Sequence, residues 1–325
     1  MLQFLIRRLI GAVVIMFLIG AFTFFLFYTI PQDFAQLACG RNCSPQNIEV
    51  IRENLGLDKP ITTQFWEFMT GIVSGRDFPQ GHCSAPCLGV SFDTGDFVWD
   101  SIMDRFPLTL SLTVGGLVIF LFFGLGTGLM AAWKRGTVVD KLVSGASMVL
   151  SSFQIYFLGP IVLGLLVYST GWMENPKYVP FTGDPAGWFV GMLIPWAVMA
   201  TIFTAQYTRM ARSTMIEQLQ EEHVRTAKAK GMRQRYVFFR YAWRGSLIPI
   251  VTIIGMDLSA LLSGAVVTEF TFDLAGIGRL AVESSLTKDL PLTMGVMLFG
   301  AFFILILNII VDLAYAYIDP RVRLA

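Results

Sequence analysis

Apolar and polar positions fall into long blocks along this chain and do not alternate. Six blocks, 9–30, 108–133, 142–172, 185–207, 245–268 and 291–317, are apolar over spanning length, since about 20 helical residues cross a hydrocarbon core of roughly 30 Å. The first four carry no Asp, Glu, Lys or Arg; the fifth contains Asp257 and the sixth Asp312. Lipid offers no water to backbone polar groups, so each block must be a helix or a barrel strand. Barrel strands alternate and are about half as long. The pattern therefore predicts an all-α polytopic membrane protein with six transmembrane helices. Composition agrees: 54% of the 325 residues are hydrophobic and only 14% are charged, too few charges to cover a soluble domain of this length.

Charge orients these helices. With the N-terminus in the cytoplasm, sixteen Lys and Arg lie on the inner side, nine of them between Arg209 and Arg244, against Lys177, Arg279 and Lys288 in the short outer loops. Cytoplasmic loops carry the basic excess, so both termini are expected inside. The first block, 22 residues behind Arg7 and Arg8, is long for a signal-peptide core and reads as a retained helix. The expected organisation is 1–30 as the N-terminal end and first helix, 31–107 as an extracytoplasmic loop, and 108–325 as the helical core, which includes a cytoplasmic segment at 209–244.

All four cysteines, Cys39, Cys43, Cys83 and Cys87, lie in the 31–107 loop. An oxidising exterior favours disulfides, with three possible connectivities; His82 beside Cys83 makes a zinc site the competing reading. Helices are expected near 44–55 and 61–73. Gly115, Gly116, Gly124, Gly126, Gly128, Gly255 and Gly264 lie within the blocks, where small residues let backbones approach; hinges are the alternative. No Gly-x4-Gly-Lys-Ser/Thr sequence is present, so the chain has no phosphate loop of that kind.

The polar segment at 209–244 stands apart. Thr214 and Glu217 have capping-box spacing and predict a helix start there. Good helix formers run on to Lys230, and Gly231 is the expected stop. Glu222, His223, Arg225, Thr226, Ala227, Lys228 and Ala229 form a small, charged helix suited to a cleft on another protein; a solvated loop that only fixes topology is the alternative. Asp257 is costly in mid-span and should face a cavity or a partner group. It reads either as lining a pathway or as a helix–helix hydrogen bond. Asn308 and Asp312 read as packing and interfacial residues, and Glu269 and Arg279 as fixing the outer loop after the fifth block.

Glu222 to Gly231 resembles the cytoplasmic "EAA" segment of bacterial ABC-importer permeases in its peptide-transporter version, with Arg225-Thr226-Ala227 where other subfamilies have Glu-Ala-Ala. Further matches run along nearly the whole chain: Ile6-Arg7-Arg8-Leu9, Leu55-Gly56-Leu57-Asp58-Lys59-Pro60, Arg105-Phe106-Pro107-Leu108-Thr109-Leu110, Gly264-Ala265-Val266-Val267-Thr268-Glu269, Gly276-Ile277-Gly278-Arg279, Asp289-Leu290-Pro291 and Asp319-Pro320-Arg321. In this order they resemble the dipeptide/oligopeptide permease family, on the side of its first, B-type, subunit. Two departures stand out. Pro31-Gln32-Asp33-Phe34-Ala35 replaces the usual Pro-Gly-Asp-Pro-Ala. Ser152-Phe153-Gln154 replaces a Ser-x-Pro, which removes the proline expected to kink the third helix. The paired cysteines look like additions.

The resemblance implies a type I importer permease that burns no fuel. It would sit in the bacterial cytoplasmic membrane and form the path for di- or oligopeptides with a second homologous permease. It implies two cytoplasmic ATPases that carry the ATP and magnesium, an extracytoplasmic substrate-binding protein, no cofactor or metal in this chain and no nucleic acid partner. The 222–231 helix would seat in an ATPase groove and relay its closure, with Ala227 and Gly231 allowing close approach. Relatives of the fold also pass nickel complexes and haem. An ion-coupled secondary transporter would need proton or sodium groups near the midplane, and one Asp is a thin supply. An intramembrane enzyme would need a nucleophile or paired carboxylates that the blocks lack.

Overall fold

A computed structural model describes residues 2–29 and 58–318, together with Ser44, Gln46, Ile48, Glu49 and Arg52. Its helices are α1 (Leu2–Thr29), α2 (Ile61–Ser74), α3 (Val98–Trp133), α4 (Val138–Leu150), α5 (Ile155–Leu163, continued as a π-turn to Ser169), α6 (Pro185–Gln218), α7 (Glu222–Ala229), α8 (Gln234–Leu262), α9 (Val266–Thr271), α10 (Ile277–Thr287) and α11 (Leu290–Ile318). A two-stranded antiparallel hairpin, β1 (Arg76–Phe78) with β2 (Gly81–Cys83), is the described sheet. Five helices are long and apolar enough to cross a membrane, or six if the bent pair α4–α5 is counted as one span.

Three expectations change. The third apolar block does not form one straight helix: α4 and α5 meet at 92°. The break forms without a proline at Gln154; at the end of α4 Ser151 and Ser152 both turn their hydroxyls back onto the Met148 carbonyl, at 2.9 and 3.1 Å. The fifth block ends early. α8 stops at Leu262 and the chain re-forms as α9 only at Val266, with Gly264 between them at φ +130. A Cβ on Gly264 would meet the Gly278 Cα at 2.6 Å, and one on Gly278 would meet the Val266 nitrogen at 2.6 Å. Two backbones thus touch where the family's glycine motifs lie. The capping box at Thr214 is also not formed. α6 runs through it, and Thr214 Oγ1 donates to the Met210 carbonyl at 3.0 Å.

The chain folds as two compact units. The first comprises the described residues up to Thr109 with Leu262–Val266 and Ala275–Ile306, so compactness does not follow the linear divisions 1–30, 31–107 and 108–325. Its core gathers Leu88, Val98, Ile102, Ile277, Leu280 and Phe299. The amphipathic α2 lays Phe65 and Met69 on α1, against Phe24 and a Gly20 that the end of the Met69 side chain approaches closely. Cys83 and Cys87 form a buried disulfide after the hairpin. Cys39 and Cys43, and most of the helix expected near 44–55, lie outside the described residues.

The second unit holds Leu110–Leu261, Val267–Leu274 and the described residues from Leu307 on. α6 starts where Asp184 caps the backbone N–H groups of Ala186 and Gly187, at 3.1 and 3.0 Å, with Pro185 in the first turn. Glycines bring α3 and α6 together: Gly115 abuts the Trp196 ring, Gly116 the Met199 side chain, and Gly124 and Gly128 the α6 backbone at Thr204 and Thr208. Gly255 meets Val311, whereas Gly126 has nothing within 4 Å. This close approach is how membrane helices pack when lipid removes the hydrophobic drive between them.

Candidate functional site

The polar helix α7 follows α6 after a turn of three residues. It is short, and its composition gives it little intrinsic reason to hold. Two side chains anchor it: Val224 and Ala227 are buried among Met215, Val237, Phe238 and Ala242. Trp133 closes on Phe238 edge-to-face at 4.8 Å. Beneath this seat Gly245 faces the Gln218 side chain, and Ser246 donates to the Met215 sulfur at 3.1 Å.

The end of α7 is a Schellman motif. Gly231 N–H donates to the Lys228 carbonyl at 2.9 Å and Met232 N–H to the Ala227 carbonyl at 3.4 Å, with Gly231 left-handed at φ +74. The expected stop is therefore where the helix ends. Its start is Glu222, eight residues beyond Thr214.

Glu222, His223, Arg225, Thr226, Lys228, Ala229 and Gly231 are exposed. Thr226 bonds back to the Glu222 carbonyl. Among the described residues, His223, Arg225, Lys228 and Lys230 make no ion pair. Ala227 faces the other way, into the chain's own core, so its small size serves the seat and not a surface. Chemically, α7 is a firmly held rod with a polar, net basic outer face.

Asp257 in α8 accepts a hydrogen bond from the Tyr207 hydroxyl of α6 at 2.8 Å. The helix–helix hydrogen bond expected of this carboxylate is present, and it is compatible with a place beside a pathway. The Tyr207 ring lies on Phe120 of α3, 5.1 Å between centroids, so three spans converge on the pair.

The motif residues in the first unit interlock. Glu283 of α10 accepts from Arg105 at 2.9 Å and from Arg279 at 2.7 Å. Partial burial pushes its pKa up, and the two arginines more than offset this, so the carboxyl titrates below the usual glutamate range. Thr109 Oγ1 accepts the Ile277 N–H at 2.9 Å. Asp289 is fully buried. It accepts from the Ser91 hydroxyl, from the N–H groups of Phe92 and Asp93 at 3.2 and 3.4 Å, and from Leu292 N–H at 3.3 Å, where it caps α11.

His82 Nδ1 donates to the Asp77 carboxylate at 2.6 Å, and its neighbour Cys83 is spent in the disulfide. Among the described residues no group of three or more His, Cys, Asp and Glu is placed to hold a metal ion.

Sequence reasoning missed the role of Tyr207 and a cluster of Asp140, Arg209 and Arg212, and it named Asp289 only as a motif residue, without its buried partners. The cluster is hidden in the sequence because the apolar run ends at Tyr207 while the helix continues to Gln218. The absence of any helix breaker between Tyr207 and Gln218 could have found it.

Two family descriptions cover most of the sequence: the N-terminal part of a binding-protein-dependent transport system membrane component over residues 1–113, and a binding-protein-dependent transport system inner membrane component over 124–324. A Brucella abortus (strain 2308) protein named "Putative peptide transport system permease protein" is 32% identical over 323 residues, 99% of each chain. A Sinorhizobium fredii protein named "Probable peptide ABC transporter permease protein" is 30% identical over 98% of this chain and 99% of its own. The glutathione transport system permease protein of Pectobacterium atrosepticum is 33% identical over 99% of both chains. With its five long apolar helices and one bent pair, and with similarity running from end to end, the chain belongs to the binding-protein-dependent inner membrane components, the multi-pass, non-catalytic permease subunits of ABC importers.

Proposed function

We propose that this chain is one of two homologous permeases that form the path for di- and oligopeptides in an ATP-driven importer. α7 is its point of attachment to one of two cytoplasmic ATPases, and an extracytoplasmic binding protein delivers the cargo. The single observation that carries this reading is the split of α7 into a buried pair, Val224 and Ala227, and an exposed charged face. A helix held by its own chain on one side can be pushed as a rigid body from the other. Arg225, Lys228 and Lys230 would meet acidic groups on the ATPase, although each exposed pair contributes only about 0–1 kcal/mol.

The peptide cargo is supported by the relatives named for peptide and glutathione transport, glutathione being itself a small peptide. The excess of basic residues on the α7 side supports cytoplasmic termini.

A photo-crosslinker at His223 or Arg225 in the assembled importer should form an adduct with an ATPase subunit. Adducts with lipid or with this chain alone would overturn the attachment. Uptake of labelled peptide into proteoliposomes should be competed by other short peptides and not by nickel complexes or haem.

A further inference from the structure

We propose that Arg209 and Arg212 are positioning residues that lock α4 to α6, so that the bent third span moves with the coupling helix as one lever. The two residues of α4 that are buried are both polar, Asp140 and Ser147. Of its apolar side chains, Val138, Leu142, Met148 and Val149 are exposed, and Val139, Val143 and Leu150 are only half-buried. In lipid such a helix has no hydrophobic drive toward its neighbours and is held by side-chain packing and polar bonds. With no apolar side chain of α4 fully buried, the polar bonds carry the larger share.

Those bonds come from one turn of α6. Arg212 grips Asp140 with both ends of its guanidinium, Nε to Oδ1 at 2.5 Å and Nη2 to Oδ2 at 2.9 Å. The same carboxylate accepts from the Gly136 N–H at 2.9 Å and from the Ser144 hydroxyl at 3.4 Å, so a charge that is costly to bury is satisfied on every side. Three residues earlier on the same face of α6, Arg209 donates to the Ser147 carbonyl at 3.0 Å and to the Ser151 hydroxyl at 2.6 Å. One arginine thus holds the start of α4 and the other its end, next to the 92° break.

α6 then passes into α7 through a bonded turn, with Leu219 N–H on the Met215 carbonyl, Glu221 N–H on Gln218 and Arg225 N–H on Glu221. A displacement of α7 therefore reaches Arg212 within ten residues and takes α4 with it. This rests on the coupling role proposed for α7.

The test uses the assembled importer in proteoliposomes. Spin labels placed at the exposed Met148 and Ser213 by non-cysteine chemistry should give one narrow distance that is the same without nucleotide and in an ATP-trapped state. Asp140→Asn, which keeps shape and removes charge, should leave ATPase co-purification and basal hydrolysis intact and lower peptide taken up per ATP at least fivefold. Arg209→Met, which spares the ion pair, should lower it two- to threefold. Asp140→Arg with Arg212→Asp should recover at least half of the loss.

A label distance that shifts with nucleotide in the wild type, or normal uptake per ATP in Arg209→Met and Asp140→Asn, overturns the lever. If Asp140→Asn does not assemble, the wild-type distance and Arg209→Met decide alone. A crosslinker at Arg225 that never reaches an ATPase removes the coupling role and the lever together. A crosslink with a shifting label distance removes the lever only.

Discussion

In α7 the ionisable side chains point outward and find no ion partner among the described residues, while two small apolar groups hold the helix. In α10 and the first turn of α11 the reverse holds. Glu283 is shared by Arg105 and Arg279, and Asp289 is enclosed by four donors. Both regions carry family motifs, yet in one the motif chemistry is used up inside the chain and in the other it is left over. Motif status alone therefore says nothing about contact with a partner. The distinguishing observation is whether the charges are already satisfied.

The sharpest way to break the contrast is Asp289→Ala. It strands the Ser91 hydroxyl and three backbone N–H groups, each costing about 1–3 kcal/mol if left unpaired. The solubilised importer should lose about 3 kcal/mol or more in equilibrium unfolding, with the α7 crosslink to the ATPase preserved in the fraction that remains folded. Val224→Asp comes next. A buried, unpaired carboxylate should unseat α7, at a local cost of about 2–3 kcal/mol, and abolish ATP-driven uptake; Ala227→Asp should act in the same way, through the seat and not the surface. Limited proteolysis at 219–232 would report the unseating, and unchanged protection would contradict it.

Arg225→Glu should change stability by less than about 0.5 kcal/mol yet lower uptake about tenfold, because it alters only the outward face. Equal losses of stability in Arg225→Glu and Val224→Asp would erase the distinction between face and seat.

The smallest effect is expected from pH. The Glu283 carboxyl has its pKa lowered on folding, so its stabilisation is complete above the ordinary glutamate range and is lost as pH falls through the lowered value. Its side chain is 39% exposed, and screening keeps this to under about 1 kcal/mol. Glu283→Gln should flatten the acid limb of a melting-temperature profile between about pH 6 and pH 3; an unchanged limb would assign it to other carboxylates.

The multi-span helical fold, the helix at 61–74 and the end of α7 at Gly231 were all legible, because each depends on local pattern: apolar length, amphipathic spacing and one backbone requirement. The break at Ser151 was not, since no proline or glycine marks it in the sequence. The start of α7 was misplaced because a capping box is a possibility that the helix interior can override. Thr214 found a closer acceptor in Met210. The direction of Ala227 and the Tyr207–Asp257 bond needed the tertiary fold, since composition cannot say which face of a short helix is owned by its own chain.

Gly231 has nothing within 4 Å of where a side chain would begin, so volume does not exclude other residues there. Chirality does. An L-amino acid at φ +74 places its Cβ too close to the following carbonyl oxygen, at about 1–2 kcal/mol. A D-alanine installed by chemical ligation should be accommodated without loss, and L-alanine should fray the last turn of α7. The length of the rod proposed to meet an ATPase is thus set by the handedness of a single residue, one that need not touch that partner at all.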